Sequence, residues 1–153
     1  MKRLILICTT AALSAVALLA AQPTSAPTVA EGAALKSLDD YMAAFNARDA
    51  DAWAATLNYP HVRIAGNEVK VWPTAAEYTA DFDFARFAEN AGWHHSAWDA
   101  KEILQSSADK VHVAVTFTRY KADGAKIESY DSLYIVTLKD GHWGTQARSS
   151  FAP

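Results

Sequence analysis

Leu35, Leu38, Met42 and Phe45 recur at helical spacing while Lys36, Asp39, Asp40 and Asn46 take the opposite side, which predicts an amphipathic helix reaching about Ala47. Asp49 or Asp51 can cap a second, short helix over Asp51 to Leu57; Trp53 and Leu57 fall four apart in it, and Tyr59-Pro60 supplies the stop. HVRIA and EVKVW, either side of Gly66-Asn67, predict a hairpin. Pro73-Thr74 breaks it and opens a third helix, with Tyr78, Phe82, Phe84, Phe87 and Ala88 as its apolar side and Asn90 to Gly92 as its end. Everything after Gly92 reads as strand. Segments near 93–105, 110–121, 127–138 and 142–151 are separated by SSAD, ADG and KDG, turn chemistries that join antiparallel neighbours. The predicted order is α-α-β-β-α-β-β-β-β, an α+β domain.

The leading residues stand outside this pattern. Lys2 and Arg3, an apolar run from Leu4 to Ala20, and small residues before Gln22 and Pro23 follow the order of a secretory signal, so residues 1–21 are read as a signal peptide. The run of about 17 residues is short for a spanning helix. Cys8 lies too close to Arg3 for a lipid-modified cysteine, and it leaves with the signal, so no disulfide can hold the mature domain. Residues 22–32, with two prolines and small polar side chains, are read as a flexible tether, and 33–153 as a single domain. The expected location is periplasmic or secreted. Without Lys2 and Arg3 the chain carries 12 basic and 17 acidic residues, a formal charge of −5, which argues against nucleic acid or an anionic membrane as partner.

The element order, the short hairpin before the third helix, the DGHW turn and the closing ARSSF strand resemble the nuclear-transport-factor-2-like superfamily, with its polyketide-cyclase-like and ketosteroid-isomerase-like members. The resemblance spans Leu35 to Phe151. It implies a cone-shaped roll in which a strongly curved antiparallel sheet wraps around the N-terminal helices. It also implies a small ligand at the open end and pairing of two copies through the outer sheet face. It fixes no reaction.

Three-residue hairpins at ADG and KDG place Val115 opposite Asp131, and Asp131 opposite Ser149. One face then collects Val111, Val113, Val115, Phe117, Leu133, Ile135, Trp143, Ala147 and Phe151 around Asp131, and is taken as the concave, helix-facing side. The other holds Tyr130, Tyr134, Gln146 and Arg148, which suits a homodimer face, with Arg148 pairing with Glu128 or a subunit partner. A two-residue turn would instead move Asp131 opposite Thr116.

Asp131 is the first catalytic candidate: a carboxylate among valines is desolvated, and its pKa rises toward the range useful for moving a proton. The bland alternative is a polar staple tied to Ser149 or a tyrosine. In GWHHSAWD, residues 92–99, adjacent histidines point to opposite faces of a strand, so His94 and His95 do not form a two-histidine metal site; no HxH or HExxH spacing occurs, and no metal or other cofactor is expected. The inward histidine is not legible from alternation. Resemblance to members with a histidine–aspartate pair in the cone favours His95, on one face with Ala97 and Asp99. Tyr41, Trp53 and Trp98 are candidates for the mouth, His61 for the rim, and Val115, Asp99 and Ser149 for the wall. Two functions fit: an exported domain holding a small, mostly apolar molecule, or a cofactor-free lyase or isomerase in which Asp131 takes a proton and His95 or a tyrosine polarises an oxygen.

Overall fold

A computed structural model describes residues 26–153, so the signal segment and the first residues of the tether lie outside the described residues. Helix α1 spans Val29–Ala47 and α2 spans Ala50–Ala55; strands β1 (Leu57–Ala65) and β2 (Glu68–Trp72) form the hairpin. Two helices follow, α3 (Ala75–Ala80) and α4 (Phe84–Ala91), then β3 (His95–Ser106), β4 (Lys110–Tyr120), β5 (Lys126–Lys139) and β6 (His142–Ser150).

Three boundaries differ from the sequence reading: β1 starts at Leu57 and takes in Tyr59-Pro60, which the sequence reading places between the second helix and the strand, and the other two each have a local cause. The tether is shorter than expected because Thr28 and Glu31 form a capping box: the Glu31 amide donates to the Thr28 hydroxyl at 3.3 Å, and the Thr28 amide donates to the Glu31 carboxylate at 2.7 Å. Together they satisfy two amides that a helix start leaves free, so the helix begins at Val29. The predicted third helix is two helices, because the Asp83 carboxylate accepts from the Arg86 amide at 3.0 Å and starts α4 afresh.

The six strands form one sheet in the order β2-β1-β6-β5-β4-β3. All neighbours are antiparallel except β1 and β6, which run parallel with Arg63 beside Arg148; the expected wholly antiparallel sheet is corrected at this seam. Ala34, Ser37, Leu38, Tyr41 and Met42 form the buried stripe of α1, set against the hollow of the sheet.

The register corrects the expected faces. The ADG turn closes as a three-residue loop, with the Lys121 amide donating to Ala125 at 2.8 Å and Tyr120 opposite Lys126. One step later Arg119 pairs with Glu128, leaving Ile127 as an extra residue. This bulge shifts every later pair by one, so Thr116 faces Asp131 and Val115 faces Ser132. KDG closes as a two-residue turn, Lys139 against His142, with Asp140 and Gly141 at φ 52° and 81°. Val111, Val113, Val115, Phe117 and Arg119 of β4 face the helices as buried residues, joined by Ser132, Tyr134 and Val136 of β5. Asp131, Leu133, Ile135 and Ser149 fall on the convex side, opposite to the face expected. Tyr130, Tyr134 and Arg148, expected on the outer dimer face, point inward.

Candidate functional site

At the open end of the sheet a cavity of about 160 Å³ lies between α1, α2, the hairpin and the concave wall. Its walls are aromatic for reasons of local sequence. Tyr41 and Phe45 are one turn apart on α1; Trp53 is buried on α2; Phe82 lies on the link between α3 and α4; Trp98, Phe117 and Tyr134 come from three adjacent strands. These rings pack edge-on or tilted at short range: Phe45 lies 5.1 Å from Trp53, Trp53 4.7 Å from Tyr78, and Tyr41 5.7 Å from Tyr134. Asn46 ties α1 to the sheet, accepting from the Ser96 amide and donating to its carbonyl, both at 2.8 Å.

Three arginines enter this aromatic wall. Arg63 of β1 donates to the Ala152 carbonyl at 3.0 Å. Arg119 of β4 lies 4.9 Å from the Phe87 ring centre and 4.8 Å from that of Tyr130. Arg148 of β6 donates to the Tyr41 hydroxyl and lies 5.6 Å from the Tyr41 ring centre and 6.0 Å from that of Trp53. Burial, and then the charge of Arg148, pulls the Arg63 guanidinium below its ordinary value, and burial does the same to Arg119. Burial also works against the charge of Arg148, but the phenols of Tyr41, Tyr78 and Tyr134 outweigh it and hold this guanidinium above its ordinary value. Burial raises the Tyr41 phenol to about 12 and pushes Tyr78 and Tyr134 up further. At neutral pH these phenols are neutral and the guanidiniums charged, so the tyrosines offer lone pairs rather than compensating charge.

The candidates from sequence are divided by this geometry. Tyr41, Trp53 and Trp98 line the cavity. Val115 is buried on the concave face but does not reach it. His61 is fully buried behind the wall, not at the rim: its ring stacks on Trp72 at 5.8 Å and its Nδ1 bonds with the Thr145 carbonyl at 3.0 Å. Burial, then the Arg148 charge, pushes its pKa down to about 3, so it is a neutral imidazole.

Asp131 is exposed on the convex face, where the Thr116 hydroxyl donates to it at 2.7 Å. Ser149 shares that face, and Asp99, an exposed residue displaced by a bulge after Trp98, accepts from Thr118. His95 lies outside the cavity, stacked on Tyr120 at 5.0 Å with its Nδ1 3.2 Å from that of His94. The GWHHSAWD stretch therefore turns its two tryptophans inward and both histidines outward: Gly92 ends α4, Trp93 is buried and bonds to Ser96, and Trp98 joins the wall. Among the described residues no group of three or more His, Cys, Asp or Glu could hold a metal ion, and no helix is long and apolar enough to cross a membrane.

Arg63, Arg119 and Arg148 are among the cavity residues that sequence reasoning missed. A signal was present: each sits inside a strand rather than in a turn, and an arginine in the middle of a strand is unusual unless it has a buried partner or task.

Helices set into the hollow of one curved six-stranded sheet, with an aromatic cavity at the open end, define the NTF2-like cone fold. The chain belongs to the family described as NTF2-like protein (DUF6841), whose model matches residues 31–147. A Nostoc punctiforme protein of unknown function with a cystatin-like fold superposes with a TM-score of 0.67 at 12% identity, over 81% of this chain and 92% of that one. An NTF2-like protein from Novosphingobium aromaticivorans gives 0.65 at 11%, over 80% of each chain. A ketosteroid isomerase-like protein from Erwinia carotovora atroseptica gives 0.58 at 23%, over 80% of this chain and 96% of that one. These likenesses establish the fold alone. No curated protein matches the chain.

Proposed function

We propose that this chain is an exported, non-catalytic domain that holds one small molecule in the aromatic cavity at the open end of its sheet. The observation that carries the reading is the cavity itself, enclosed by aromatic side chains from helices and strands at the place where this fold is open. Its volume of about 160 Å³ is close to that of a cavity of about 150 Å³ known to take benzene, so the ligand has the size of a single ring with a few substituents. The competing lyase or isomerase reading depended on Asp131 as proton carrier and His95 as its partner. Neither reaches the cavity, and the one side-chain carboxylate on its wall, Asp81, is engaged by Lys70 at 2.9 Å and by the Trp72 indole at 3.1 Å. Titration calorimetry with a panel of single-ring fragments tests the proposal. One-to-one binding is expected, lost in Ser150→Phe, which adds bulk from a wall residue. Equal binding by wild type and Ser150→Phe would overturn the assignment to this cavity.

A further inference from the structure

We infer that the ligand is an organic oxyanion, a carboxylate or phosphate group on a flat single-ring body, seated with its charge on Arg119 and Arg148. This rests on the small-molecule reading above and names the chemistry of that same site.

Charge makes the first argument. Among side chains, Arg63, Lys70, Arg119 and Arg148 line the cavity against the Asp81 carboxylate alone, which is held by Lys70 and Trp72, and the main-chain end at Pro153 on the same wall forms no ion pair with them. Every ion pair among the described residues uses a lysine; none of the three arginines has a carboxylate within reach. Glu128 is opposite Arg119 in the strand register, yet its side chain is exposed and forms no pair with it. Like charges that share a low-dielectric space repel one another, and an anion between them relieves both the repulsion and the loss of hydration.

Hydrogen-bonding capacity makes the second argument, independent of charge. Arg119 is only 8% exposed, and its Nε has no partner; the same holds for the Nε of Arg63 and Arg148 and the indole N–H of Trp53 and Trp98. Buried polar atoms are nearly always bonded, and these unpartnered donors belong to five residues that line one cavity, a wall suited to an acceptor-rich occupant. A guanidinium presents its donors as a planar fork that matches carboxylate and phosphate oxygens. The ring centres of Phe87, Phe117 and Tyr130 lie 4.9, 5.8 and 4.8 Å from the Arg119 guanidinium and hold that fork in place, and Phe87 and Phe117 also line the cavity beside it.

Calorimetry on the intact protein with benzoate, phenyl phosphate and neutral benzamide tests the inference. At least one anion is expected to bind ten-fold or more tighter than benzamide, and the tighter anion identifies the oxyanion. Arg119→Gln should bring the anion within three-fold of benzamide while benzamide binding is kept; if that variant does not melt cooperatively, Arg148→Gln carries the same comparison. Equal binding of all three by wild type would overturn the oxyanion assignment and leave the small-molecule reading standing. If neither these nor any neutral single-ring fragment binds, both fall.

Discussion

A guanidinium held away from water without a counter-ion is a cost to the empty protein; Arg119 is the case in point, since burial pulls it below its ordinary value, so Arg119→Met should stabilise the unliganded fold by roughly 1–3 kcal/mol, even with its contacts to the surrounding rings changed. Urea melts check this, and a destabilised variant would mark Arg119 as structural. His61 makes a pH prediction with a definite sign. Its folded pKa, about 3, is below the ordinary value of 6.5, so the unfolded chain binds more protons between those limits and stability is lost as pH falls through that window. His61→Gln should therefore start less stable at pH 7 but lose about 2–3 kcal/mol less than wild type on going to pH 4, read by denaturant melts. Asp131→Asn, by contrast, changes an exposed carboxylate and should move stability by less than about 0.5 kcal/mol at pH 5 or pH 8. Tyr41 and Trp53 were legible because rings on an amphipathic helix must be buried somewhere, whereas Tyr134, on a strand, was expected on the opposite face. The arginines were marked only by standing inside strands, and their direction depends on a register that no single residue announces.

At the level of elements, helix spacing and turn chemistry carried most of the fold, and the failures sit at irregularities. Ile127 is one apolar residue among several in β5, yet as the bulged residue it decides that Asp131 faces solvent and Tyr134 the cavity. A period-two pattern cannot show an inserted residue when both faces carry apolar and polar side chains, as Leu133 and Tyr134 do here. The start of α1 was legible in principle, since Thr28 followed three residues later by Glu31 is a capping box inside a stretch that composition marks as loose. Thr28→Ala should cost about 0.5–1 kcal/mol, with the loss confined to the first turn of α1 in hydrogen-exchange profiles.

For the whole molecule, the convex face is the open question that a second copy would answer. Leu104 is 52% and Phe151 83% exposed there, beside Ala114, Leu133 and the polar pair Thr116 and Asp131. Exposed apolar patches on a sheet favour association. The prediction is a homodimer through this face at tens of micromolar, a concentration typical of ordinary dimers, and Leu133→Glu should convert it to monomer in light scattering. A wild type that is monomeric throughout that range would remove the proposal. The same variant should leave ligand affinity unchanged, because Leu133 and the cavity lie on opposite sides of the sheet.

Three of the five tryptophans, Trp53, Trp72 and Trp98, stand on the cavity wall. The protein thus carries its own optical reporter. Indole emission responds to the polarity and charge immediately around the ring, and a ligand seated here lies against those rings. A colourless molecule would register as readily as an absorbing one, so crude metabolite fractions can be surveyed for a binder by emission spectrum alone, with no label attached and no prior guess at the compound.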